Sequence, residues 1–129
     1  MEKRLISSYD EKNDTFVGKI DGEYGYCADY GISEGIYLGI NNFNIPTLLF
    51  VPNASEVLNI SKETLESANV RININCDDVC LNVVLFIENS KICSIKCRNK
   101  FGIPNLNYLL DCNVWVTIFF IFLLTLNMS

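Results

Sequence analysis

The sequence predicts an α+β domain, mainly an antiparallel β-meander with short helices at residues 54–68 and an apolar C-terminal tail. Three observations carry this. Val70, Ile72 and Ile74 alternate with Arg71, Asn73 and Asn75, the two-residue period of a strand in a sheet with one wet face. Turn residues such as Asp21-Gly22 and Glu88-Asn89-Ser90-Lys91 recur between short apolar runs. Helix-start chemistry is confined to one region, after Pro52-Asn53, where Ser55 and Ser61 stand as capping residues.

The elements follow in order. Tyr9-Asp10-Glu11-Lys12-Asn13-Asp14 is a polar turn, and Thr15-Phe16-Val17-Gly18-Lys19-Ile20 after it is a strand with Phe16 and Ile20 on one face. Residues 23–30, rich in Tyr, form a second candidate strand, and Gly31 and Gly35 bracket the next turn. Ile36-Tyr37-Leu38-Gly39-Ile40 is a strand, residues 41–44 a loop, and Thr47-Leu48-Leu49-Phe50-Val51 a short apolar strand after Pro46. Ser55 is expected to cap a helix through Leu58, and Ser61 a second through Ser67. Val57, Leu58, Ile60, Thr64, Leu65 and Ala68 would supply their apolar face. Strands resume at Val70, at 80–87, and at 92–97, where Cys93, Ile95 and Cys97 share a face opposite Ser94 and Lys96. Phe43-Asn44-Ile45-Pro46-Thr47-Leu48 is echoed by Phe101-Gly102-Ile103-Pro104-Asn105-Leu106, which raises the prospect of two related β-units.

Composition narrows function. A chain of 129 residues makes one domain with room for a core, here assigned to 1–113, with 114–129 as the tail. The net charge of −5 works against binding a phosphate backbone, so no nucleic acid is favoured, and suits a basic protein partner. Histidine is absent, which removes the commonest general base and metal ligand. The N-terminus lacks the apolar core of a secretory signal, so the expected location is cytoplasmic. There the six cysteines stay reduced.

Several motifs invite function and have plainer readings. Residues 54–65 imitate the turn of a helix-turn-helix, which makes a DNA-binding regulator acting through residues 54–68 the alternative function. A second helix offering Lys62, Glu63 and Glu66 is poorly equipped to read bases. Cys76/Cys80 and Cys93/Cys97 supply four thiols, the number that a tetrahedral metal needs. Four residues along a strand, however, cover roughly 13 Å. Core cysteines are expected, with Cys76/Cys80 the pair left open. Asp10-x-Lys12-x-Asp14 has the spacing of a calcium loop but places Lys in its middle and lacks the distal Glu. Asp77-Asp78 reads as a solvated pair. No phosphate loop or nucleophile elbow is present, so the expectation is no enzyme, with no catalytic residues, cofactor or metal. Tyr24, Tyr26, Tyr30 and Tyr37 are candidates for an aromatic binding surface, Tyr37 being the one best read as sheet packing.

The opening Tyr9, Asp10, Asp14 and Phe16, the strand 36–40 after Gly35, and Leu48 to Val51 followed by Asn53-Ala54-Ser55 and Leu58 resemble a short prokaryotic domain family of unknown function. The resemblance covers a little under half the chain. It implies a β-meander with a short helix, no assigned catalytic residues, and, because such genes often neighbour those of suspected toxins, an antitoxin-like role. The Tyr-rich segment 23–30 and everything after Val70 depart from the pattern.

The tail stands apart. Residues 114–126 carry no charge but as a helix would span only roughly 20 Å of a hydrocarbon core about 30 Å thick. A helix extended back to Leu109 would be long enough but includes Asp111. Three readings stay open: a membrane anchor, which would make the chain a small membrane-anchored protein; an element buried in the domain or in a homo-oligomer; and a frameshift-like extension. The expected function is a non-catalytic protein-interaction module.

Overall fold

The computed structural model describes residues 1–112; the tail, 114–126 included, lies outside the described residues. Nine strands and two short helices follow one another: β1 (Glu2–Asp10), β2 (Thr15–Ile20), β3 (Ala28–Ser33), β4 (Ile36–Ile40), β5 (Pro46–Val51), α1 (Ala54–Leu58), α2 (Lys62–Glu66), β6 (Val70–Cys76), β7 (Cys80–Ile87), β8 (Ser90–Arg98) and β9 (Leu106–Asp111). The strands form one sheet in the order β3-β4-β5-β2-β1-β9-β6-β7-β8. Seven of its eight pairings are antiparallel and the central one, β1 with β9, is parallel. The mainly antiparallel expectation therefore holds, with one crossover that a simple meander lacks.

Among the described residues, a single sheet with two five-residue helices has too little helix to cover an apolar face, and the sheet covers itself. It curls into a near-barrel until its edges, β3 and β8, approach, and Tyr30 of β3 stacks on Phe101 just beyond β8 with ring centres 4.3 Å apart. The inward residues form one core: Leu5, Phe16, Leu38, Val51, Ile72, Leu81, Leu85 and Leu110 are all essentially inaccessible. Ala54 and Leu58 of α1 and Leu65 of α2 join it.

Four local expectations are corrected. Only 28–30 of the Tyr-rich segment is strand, because Gly25 sits at φ +94° and breaks the run. β3 instead continues through Gly31 to Ser33. Ser55 does not cap α1: Asn53, in the left-handed region, is the cap residue, and the Ser55 hydroxyl is used elsewhere. Ser61 does cap α2, accepting from the Thr64 amide at 3.2 Å. Val57 and Thr64 face solvent, leaving Ala54, Leu58 and Leu65 as the buried helical residues. The hairpin turn after β7 is just Glu88-Asn89, both left-handed, the two-residue form that suits strand twist.

Two strands escaped the sequence reading. β1 points Lys3, Leu5, Ser7 and Tyr9 inward, a set too polar to register as an apolar stripe. β9 pairs with both β1 and β6, so Leu109 and Asp111 belong to the sheet and a membrane helix reaching back to Leu109 is excluded. Among the described residues no helix is long and apolar enough to cross a membrane.

Candidate functional site

The strand directions divide the loops between two ends. The start of β1 and the β2–β3, β4–β5, β6–β7 and β8–β9 connections share one end, here the lower. The lower end carries the most exposed apolar side chains among the described residues: Phe43 at 81%, Tyr24 at 79%, Met1 at 72%, Val79 at 67% and Tyr26 at 63%, whereas the remaining large apolar residues on the surface reach no more than 43%. Folding removes apolar area from water, so a concentration of this kind from four chain segments makes this end the candidate binding surface.

Asn41 builds the aromatic side of this end. It is 7% exposed, and its amide donates to the Tyr24 carbonyl at 3.1 Å. Its side-chain oxygen accepts from the amides of Phe43 at 2.9 Å and Ile45 at 3.1 Å. One buried side chain thus fixes the backbones that carry Tyr24 and Phe43. Lys3 and Glu23, paired at 2.9 Å and mostly shielded from water, fasten the same loop to β1. The Glu23 hydrogen bond raises the Lys3 pKa despite the opposing effect of burial. The Tyr26 hydroxyl donates to Asp29 at 3.1 Å, and that bond raises the phenol's pKa. Between this loop and the outer faces of β1, β2 and β5 lies a groove of about 340 Å³, lined by Ile6, Ile20, Tyr24, Tyr26, Thr47 and Leu48 among others. Strand register continues the apolar surface upward from it, since Tyr37, Phe50 and Val17 stand in one outward row.

The second Asn loop repeats the first. Asn99 accepts from the Ile103 amide at 3.1 Å and donates to the carbonyls of Asp77 and Ile103, as Asn41 organises 41–45. Asn44 and Gly102 occupy equivalent places, and both are left-handed, at φ +59° and +71°. A Cβ on Gly102 would come within 3.2 Å of the Asn44 amide, so the echoed loops also meet each other at the seam.

The remaining sequence candidates have structural employment. Asp14 accepts the Tyr9 hydroxyl at 2.6 Å, the Ser55 hydroxyl at 2.6 Å and the Ser55 amide at 3.0 Å, tying α1 to the β1–β2 hairpin. Those bonds, Ser55's first, lower the Asp14 pKa, while desolvation and the bond to Asp14 push Tyr9 up to about 12. Asp10 accepts from Lys12 and Asn13 across its turn. Tyr9, Asp14 and Ser55 therefore come together as a structural knot at the upper end, with Asp10 in the adjoining turn. Asp77 accepts from the Val79 and Cys80 amides, which lowers its pKa, and Asp78 is exposed.

The cysteines disperse. Cys76 and Cys97 both face inward on either side of Leu81, two strand spacings or about 10 Å apart, whereas Cys80 faces outward opposite Arg98. All six are free thiols. Burial raises the pKa of Cys76, Cys93 and Cys97. Among the described residues no group of three or more His, Cys, Asp or Glu is placed to hold a metal ion. The helix-turn-helix candidate consists of two five-residue helices, each about 7.5 Å long and too short to lie along a groove.

Sequence reasoning singled out Tyr24 and Tyr26 but missed Phe43, Val79 and Asn41. A lone Phe in the loop Asn41-Asn42-Phe43-Asn44 was the available signal, because a large apolar residue in a polar loop has no core to enter. Asn41's role needed the tertiary contact with Tyr24. In comparisons with known proteins, no family model, no curated protein and no solved structure matches the chain.

Proposed function

We propose that the chain is a non-catalytic protein-interaction module that binds through its lower end, to a partner presenting a basic surface. The observation that supports this best is the gathering of Tyr24, Tyr26, Phe43, Met1 and Val79 at one end. Tyr and Phe anchors with few rotatable bonds are what binding surfaces use. Asn41 pre-orders two of them, which reduces the entropy lost on binding. Asp21 and Asp29 beside the aromatic residues favour a cationic surface and speed its approach.

Within this reading the family resemblance supports an antitoxin-like role in the cytoplasm, neutralising a basic toxin encoded nearby. The matching Asn41 and Asn99 loops support descent from two related β-units.

A photo-reactive residue placed at Phe43, and separately at Glu63 on the upper end, tests the assignment in cells. The reading expects one defined protein adduct from Phe43, lost when Tyr24 and Tyr26 are both changed to Ser, and none from Glu63. Adducts from Glu63 alone, or from neither position, would sink it.

A further inference from the structure

The two edges of the curled sheet carry opposite charge. Between residues 28 and 35, β3 and its turn contain Asp29 and Glu34 and no Lys or Arg; β8 contains Lys91, Lys96 and Arg98 and no Asp or Glu, with Lys100 just beyond. All six side chains are exposed. Among the described residues neither edge has a further strand beside it, the arrangement in which edge backbone groups lack a ladder partner. The edges lie side by side across the seam closed by Tyr30 and Phe101. Tyr26, bonded to Asp29 of β3, and Phe43, next to the Asn44 that meets Gly102, flank the seam's lower end, and Val79, whose carbonyl accepts from the Asn99 amide, does so on the β8 side.

Such a surface is self-complementary. A two-fold rotation about an axis running along the seam sets the acidic edge of one copy over the basic edge of the other, and does so twice. Both sets of apolar tips then lie in the same contact. A contact of this type closes at two copies, whereas joining β3 of one molecule to β8 of the next in a line would not. We propose that the partner seated on the lower end is a second copy of this chain, forming a two-fold dimer across the β3–β8 seam. The inference rests on the reading of the lower end as an interaction surface and identifies the basic surface it meets as the chain's own β8 edge.

Sedimentation of the full chain and of two charge-reversed variants tests this. One variant, Asp29→Lys with Glu34→Lys, has two basic edges; the other, Arg98→Glu with Lys100→Glu, has a predominantly acidic pair. The native chain is expected to dimerise, and each variant alone to associate at least tenfold more weakly. A one-to-one mixture should recover the dimer, because opposite edges face each other again; a general loss of folding could not produce that recovery. A native chain that stays monomeric at about 100 µM, the affinity of a feeble contact, overturns the proposal. A dimer indifferent to both reversals, or a mixture that stays monomeric, also overturns it. A monomeric chain whose Phe43 still forms an adduct with a different protein would remove the dimer and leave the interaction reading standing.

Discussion

Asn41 at the lower end and Asp14 at the upper end hold their surroundings in the same manner, each gathering three hydrogen bonds from two chain segments. What they hold differs. Asn41 fixes loops whose side chains, Tyr24 and Phe43, point into water, whereas Asp14 fastens α1, whose Ala54 and Leu58 are buried, to a hairpin. The upper end around it is polar, with Glu11, Lys12, Asn13, Glu56, Glu63 and Glu88 exposed. A polar knot that secures core packing explains itself through stability. A buried amide that presents aromatic side chains to solvent stabilises the molecule too, but stability does not account for what it presents.

The largest effect that bears on this contrast is expected from Asn41→Ala. Removing the amide leaves the Tyr24 carbonyl and two loop amides short of partners, which should cost about 2–3 kcal/mol, read as a lower denaturation midpoint. Tyr24→Ser and Phe43→Ser, in contrast, should weaken association while leaving that midpoint nearly unchanged. If the two tips proved as destabilising as Asn41, they would belong to the core and the contrast would dissolve.

The upper knot should show itself in pH dependence. Asp14 has a folded-state pKa below the ordinary carboxylate value, so its contribution is present above that value and is lost as pH falls through the folded pKa. Tyr9 is raised to about 12, so its contribution is complete below the ordinary phenol value and is lost as pH rises through the folded one. Asp14→Asn should flatten the acid limb of a stability profile and Tyr9→Phe the alkaline limb. Neither should alter association through the lower end.

Smaller still is the ion pair that fastens the Tyr loop. Lys3→Met should cost about 1 kcal/mol, the upper range for a partly shielded pair, and loosen the 21–27 backbone in hydrogen exchange before the global midpoint moves. The mildest test is chemical. A maleimide at neutral pH should label exposed Cys27 first, with Cys76, Cys93 and Cys97 slowed by burial. Equal labelling of all four would mean the β6–β8 wall is looser than described.

Much of the fold was legible in the sequence where one face of a strand is uniformly apolar. Val70, Ile72 and Ile74 announced β6, and Phe16 with Ile20 announced β2, because their inward partners are all apolar or Gly. β1 was hidden by its inward Lys3 and Ser7: Lys3 is acceptable there only because Glu23 arrives from 20 residues away. The curling of the sheet was equally invisible, since no local pattern states how two edges come to meet. For the candidate site, the Tyr residues could be named in advance. Their separation into a packed Tyr30, stacked on Phe101, and projecting Tyr24 and Tyr26 depended on Gly25 ending the strand pattern and on the distant Phe101.

The central claim, that the lower end is the working surface, is tested most directly by amide hydrogen exchange of the full chain at low and high concentration. Protection should increase with concentration in 21–27, 28–33, 41–45, 77–80 and 90–105, while 11–14, 54–66 and the Glu88-Asn89 turn exchange as before. Concentration-dependent protection confined to those upper segments, or absent from the lower ones while the chain demonstrably associates, would contradict the account.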